Sequence, residues 1–186
     1  MVNKLYIKMI LTPKQLNKLF INRNDVYSIQ QPNGAYYIVK DKIDISLIKK
    51  HLAGEITIGV YCLDTENNIK WGCIDLDGTD LTLLRRESEI IYNTFKPFPR
   101  MLEFSGRRGY HVWLFFNPKI TASFGKQLIK SRLTRINQNH HEIFPKQVTL
   151  DSTRKYGNLV KLPCGIHLKS GKRSEIIKYD NLEEIF

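Results

Sequence analysis

Cysteine is scarce in this chain. Cys62, Cys73 and Cys164 lie far apart, show no Cys-x-x-Cys spacing and have no paired histidines beside them. That excludes a conventional zinc module and a disulfide framework, and it suits a reducing, cytoplasmic setting. Long apolar runs are missing as well; none approaches the roughly 20 residues that cross a bilayer. Residues 5–11 are broken by Lys8 and carry no small-residue cleavage site, so they do not read as a signal peptide, and no membrane partner is expected. Acidic charge is in deficit: 18 Asp and Glu stand against 29 Lys and Arg, a net charge of +11. A polyanion is the leading expected partner, with a lysine-rich solubilising surface as the plain alternative. What remains is 186 residues, 42% of them hydrophobic and 11% aromatic, without repeats or low-complexity tracts. That is enough for one sizeable core, and a single domain over residues 1–186 is expected.

Thr12-Pro13-Lys14-Gln15 reads as a helix start, with threonine as cap, proline at the first position and glutamine completing a capping box. Residues 27–30 and 35–40 read as a hairpin around Pro32-Asn33-Gly34, and Asp44 caps a short helix that Gly54 ends. These residues, 1–54, form a supporting part; 55–180 form the chemical core. Runs at 55–63 and 70–76 read as a second hairpin across the turn 64–68. A helix over 81–94 carries Leu81, Leu84, Ile91 and Phe95 on one face. Strands at 100–104 and 110–116 follow, then a helix over 121–137 with Phe124, Leu128 and Ile136 inward. Residues 148–150 read as a strand leading into Asp151, 158–162 as another, and 176–179 as a last one before a terminal helical turn.

Three clusters carry chemistry. Asp75 and Asp77 end a strand two residues apart, which puts both carboxylates on one face. A hard divalent cation between them, or a solvated Asp-Gly turn, explains the pair equally well. Asp75-Leu76-Asp77-Gly78-Thr79 also fits the nucleophile motif of haloacid-dehalogenase-like phosphatases, but the downstream acidic pair of that family is missing. The second cluster is Ser105-Gly106-Arg107-Arg108-Gly109-Tyr110-His111. Two glycines bracket a tight connection, the arginines offer forked donors, and Ser105 and His111 donate from either side, a mixture suited to phosphate oxygens. The third is Asp151 followed by Lys161, His167 and Lys169, one more acid with further cations.

In this order the clusters resemble the archaeo-eukaryotic primase superfamily, whose signature is a strand-borne Asp-x-Asp, a Ser-x-His-type nucleotide motif and a third aspartate. His51-Leu52-Ala53-Gly54, Thr57-Ile58-Gly59-Val60-Tyr61, Phe144-Pro145-Lys146-Gln147 and Gly157-Asn158-Leu159-Val160 look like the primase–polymerases of conflict systems and CRISPR loci. The resemblance implies a two-lobed α/β (α+β) core, a small N-terminal lobe plus an antiparallel sheet like that of an RNA-recognition motif, with flanking helices. It implies template-directed nucleotidyl transfer onto a primer 3′-hydroxyl or de novo. Asp75, Asp77 and Asp151 would hold two divalent ions, Mg²⁺ or Mn²⁺, with no zinc and no organic cofactor. Ser105, Arg107, Arg108, His111, Lys161, His167 and Lys169 would cradle a nucleoside triphosphate. The expected partners are single-stranded or primed DNA and nucleoside triphosphates, and the chain can be one domain of a longer protein. A phosphatase acting through Asp75 and a non-catalytic nucleic-acid-binding module are the alternatives.

Overall fold

The computed structural model describes residues 11–183 and 185. Residues 5–10 of the run that does not read as a signal peptide, and Glu184 and Phe186 of the expected terminal turn, lie outside the described residues.

Helix α1 (Pro13–Phe20) starts on the expected capping box, with Thr12 and Gln15 bonded reciprocally. Strands β1 (Tyr27–Gln30) and β2 (Tyr36–Val39) form the first hairpin. Helix α2 (Ile45–Ala53) is capped by Asp44 and ends on a left-handed Gly54. Then come β3 (Ile58–Tyr61), β4 (Asn68–Asp77), α3 (Leu81–Thr94), β5 (Arg100–Phe104), β6 (Gly109–Thr121), α4 (Ala122–Arg135) and β7 (Glu142–Phe144). The short strands β8 (Leu159–Lys161), β9 (Ile166–His167) and β10 (Lys172–Arg173) precede β11 (Glu175–Asp180).

Two main antiparallel sheets result, a five-stranded one in the order β11-β5-β6-β4-β7 and a four-stranded one in the order β2-β1-β3-β8, while β9 and β10 pair as a separate two-stranded ribbon. The expected second hairpin is not formed. The turn at Asp64 closes, with Asp64 N–H donating to the Asn68 carbonyl at 3.0 Å, yet β3 joins the smaller sheet and β4 the larger. Asn22 stands where the strands part. Its side-chain amide donates at 2.8 Å to both the Cys62 and the Asn68 carbonyls, while Cys62 N–H donates to the Asn158 carbonyl ahead of β8.

Successive residues of a strand alternate between faces. On one face of the larger sheet Trp71 and Trp113 pack edge to face, and α1 covers them through Phe20, which meets Trp113 and Phe115. The other face takes α3 and α4. Gly72 makes room for Ile129, and Gly125 for Ile69, so α4 sits close to the sheet. Its inward residues are therefore Ala122, Gly125, Ile129 and Leu133. Phe124, expected inside, is 58% exposed, and Leu128 and Ile136 only flank the core. Leu81, in the first turn of α3, is also exposed. Residues 148–150 form no strand; Leu150 N–H donates instead to the Asn67 side chain.

Candidate active site

One rung of the larger sheet concentrates its ionisable groups. The register opposes Glu103 to His111, His111 to Asp75, and Asp75 to Glu142, across β5, β6, β4 and β7. Cross-strand partners point to the same face, so four titratable side chains stand in a row. Met101, Trp113, Cys73 and Phe144 form the apolar rung beneath. Asp77, two residues beyond Asp75, shares that face opposite Gly109. A side chain at Gly109 would bring its Cβ to 1.8 Å from the Leu76 carbonyl oxygen, so only glycine lets β6 approach β4 there.

Hydrogen bonds join one end of the rung. His111 Nδ1–H donates to Glu103 Oε2 at 3.0 Å, Trp113 Nε1–H donates to the same oxygen at 2.8 Å, and His111 Nε2 faces Asp75 Oδ1 at 3.6 Å. Burial alone would lower the His111 pKa, but the bond to Glu103 and the Asp75 charge outweigh it and the pKa rises. Glu103 is fully buried. Burial pushes it up, Lys161 and His111 pull harder, and it is held below the usual carboxylate range. Asp75 is raised, first by burial and then by its neighbours Asp77 and Glu142, against His111 and Lys146. Each of the three acids on this face has a cation beside it: His111 by Asp75 at 3.6 Å, Arg108 on Asp77, and Lys146 on Glu142 at 2.5 Å.

The turn 105–108 joins β5 to β6 over this rung. Ser105 N–H donates to the Gly109 carbonyl, and Gly106 takes φ +90 against the backbone of Lys172 and Arg173. Ser170 Oγ–H reaches the Gly106 carbonyl at 2.7 Å, tying the β9–β10 hairpin to the turn. A cleft of about 230 Å³ lies between the sheets, lined by Asp75, Asp77, Ser105, Arg107, Arg108, His111, Lys161 and His167, with Gln30, Tyr36 and Leu159 opposite. Lys161, from the smaller sheet, is buried. Its ammonium donates to Ser174 Oγ at 3.0 Å and lies 3.8 Å from Glu103 Oε1. Burial lowers its pKa, opposed by Glu103. His167 is lowered by burial and then by Lys161.

Three residues of the expected set stand differently. Asp151 is exposed and not among the cleft's lining residues. Its carboxylate accepts from Thr153 Oγ–H, from the backbone N–H groups of Arg154 and Thr153, and from the Arg154 guanidinium; these bonds, the Thr153 hydroxyl first, hold its pKa far below the usual carboxylate range. It caps a turn of an irregular segment. Lys169 is exposed at the rim, its stem against Gly34. Arg108 is ion-paired with Asp77. Two residues passed over in the sequence are central instead. Glu103 follows from the register of two strands joined by a short turn, and Glu142 immediately precedes the apolar pair ahead of Pro145.

The family described as the archaeo-eukaryotic primase domain of the TOTE conflict system matches residues 39–185. Of the two groups resembled in sequence, that is the conflict-system one. Among solved structures, the primase–polymerase domain of cyanophage S-2L superposes with a TM-score of 0.57 at 12% identity, covering 94% of each chain. The polymerase domain of Mycobacterium tuberculosis ligase D, solved with DNA, gives a TM-score of 0.47 at 13% identity over 92% of this chain and 82% of its own. The curated protein sequences give no match.

Proposed function

We propose, from the premise that this chain belongs to the archaeo-eukaryotic primase domain family, that it transfers nucleotides from a nucleoside triphosphate to a primer 3′-hydroxyl on a DNA template. The observation that carries this reading is the single rung that sets Asp75, His111 and Glu142 side by side beneath a basic turn. Carboxylates and phosphate donors then share one cleft.

The donor set fits hard divalent ions. Asp75, Asp77 and Glu142 offer only oxygen from one face of adjacent strands, the donor type that Mg²⁺ and Mn²⁺ take. In this reading Glu142 is the third acid, in place of Asp151. Bound Mg²⁺ or Mn²⁺ would activate the attacking hydroxyl and neutralise charge on the leaving pyrophosphate. The protein's share is positioning and charge. Arg107 and the Ser105 hydroxyl bind phosphate oxygens from the turn, and Lys161 and His167 bind them from the facing sheet. His111, its pKa raised by the bond to Glu103, holds Nε2 toward the triphosphate beside Asp75. Arg108, paired with Asp77 in the same cleft, would offer its guanidinium to phosphate if Asp77 held a divalent ion. Template and primer backbones bind the basic surface in a salt-dependent manner.

Primer extension tests the reading directly. Asp75→Ala and Asp77→Ala are expected to abolish incorporation while binding of primed DNA persists. Incorporation by both variants at the wild-type rate overturns it. Phosphomonoester hydrolysis that depends on Asp75 would instead favour the phosphatase alternative.

A further inference from the structure

Where the connection from α4 enters β7, two imidazoles meet α3. One donor atom from each of Glu87, His140 and His141 lies within 4.8 Å of the others. The two rings are 4.0 Å apart between centroids, and His141 Nε2 is 3.5 Å from Glu87 Oε2 and 3.0 Å from Gln138 Oε1. The His141 and Glu87 side chains are only 6% and 18% exposed. This is not a solvated loop that happens to contain histidine. The three residues line a hollow of about 570 Å³ whose other wall is Asp75, Asp77 and Glu142. Nucleotidyl transfer as proposed above uses none of the three.

The chemistry of this set differs from that of the acids across the hollow. Two nitrogens and one oxygen suit a borderline ion such as Zn²⁺, whereas the oxygen-only set suits Mg²⁺. Three protein donors facing a hollow leave a fourth position for water or a ligand oxygen. The small number of cysteines, on which the expected absence of zinc rests, excludes thiolate sites alone. The placement also has a mechanical consequence. His141 directly precedes Glu142, which pairs opposite Asp75. An ion held by Glu87 and both histidines would clamp the start of β7 to α3.

We propose that Glu87, His140 and His141 form a second divalent-ion site of zinc type, separate from the Asp75–Asp77–Glu142 set, which fixes the strand that presents Glu142. The ion site stands without the nucleotidyl-transfer reading; only its consequence for Glu142 rests on it.

The test is calorimetric titration of metal-stripped protein with Zn²⁺ in excess Mg²⁺. About one equivalent should bind, raising the melting temperature. Because His140 is exposed, His140→Ala leaves the core intact, and it should weaken Zn²⁺ binding at least about tenfold. The Asp75→Asn, Asp77→Asn double variant should bind Zn²⁺ within about twofold of wild type. Co²⁺ in place of Zn²⁺ should give visible absorption bands that Glu87→Gln alters. Absence of Zn²⁺ binding by the wild type overturns the proposal. So does binding that survives His140→Ala but is lost with the two aspartates. Each readout is binding, so failure here is distinct from failure of incorporation.

Discussion

The two sheets handle buried polar groups in opposite ways. In the smaller sheet and the helix beside it, Lys161 apart, such groups bond to hydroxyls and backbone rather than to charges. Ser28 Oγ and Tyr61 Oη are hydrogen-bonded at 2.9 Å, and His51 of α2 sits between the Leu162 and Pro163 carbonyls and the Ile58 N–H. Burial, and then the Lys161 charge, drive the His51 pKa down to about 4. In the larger sheet His111 is equally enclosed, yet its partners are carboxylates and its pKa rises. The same side chain at a similar depth has its pKa lowered in one place and raised in the other. Partner chemistry, not burial, decides which. One charge crosses between the regions: Lys161 comes from the smaller sheet and approaches Glu103 in the larger.

Removing the buried anion should break this contrast most severely. Glu103→Gln leaves Lys161 and His111 without their counter-charge and is expected to cost roughly 3–5 kcal/mol in urea unfolding. The His111 pKa, followed by NMR, should fall. A variant of unchanged stability and unchanged His111 titration would show that Glu103 is not what separates the two histidines.

The next effect belongs to His51. Its folded pKa lies below the unfolded value of about 6.5, so between the two the unfolded chain holds a proton that the native chain lacks. Stability from this residue is present above pH 6.5 and is lost as pH falls toward 4, by about 3 kcal/mol in all. Urea titrations at pH 7 and pH 4.5 should show His51→Gln with a flatter acid limb than wild type. An identical limb would remove His51 from the comparison.

A smaller effect sharpens the comparison within the larger sheet. Glu142→Gln, on the charged rung, should lower primer extension by roughly 100-fold. Asp151→Asn, outside the cleft, should leave it within about twofold. The reverse order would return the third acid to Asp151. The smallest effect is expected at the mouth of the cleft, where Arg108→Ala should raise the apparent KM for nucleotide. It should also strengthen Mn²⁺ binding to the nucleotide-free protein, because Asp77 loses a competing cation. Weakened Mn²⁺ binding would instead show that the ion pair organises the site.

Much of this was readable in the chain. Thr12 to Gln15 carries its own capping box, Asp44 and Gly54 bracket α2, and the spacing of Asp75 and Asp77 places both on one face. Ser105, Arg107, Arg108, His111, Lys161 and His167 do converge on one cleft with them. The misreadings share a cause. A tight turn between β-rich runs signals a hairpin, but Asn22, 40 residues before Cys62, satisfies the backbone groups at which the two strands part. A helical stripe through Phe124 looks apolar enough to face inward. The sheet instead selects Gly125, because only a small residue admits Ile69.

The sequence by itself determined the local elements, their caps, the paired aspartates and the phosphate-shaped turn, since each depends on residues within a few positions of one another. Tertiary structure alone decided which acids share a face. Asp151, expected beside Asp75 and Asp77, turns instead to Thr153 and Arg154. Glu103 and Glu142 reach His111 and Asp75 only through strand register. Charges couple through space and dielectric, and neither can be read from spacing along the chain.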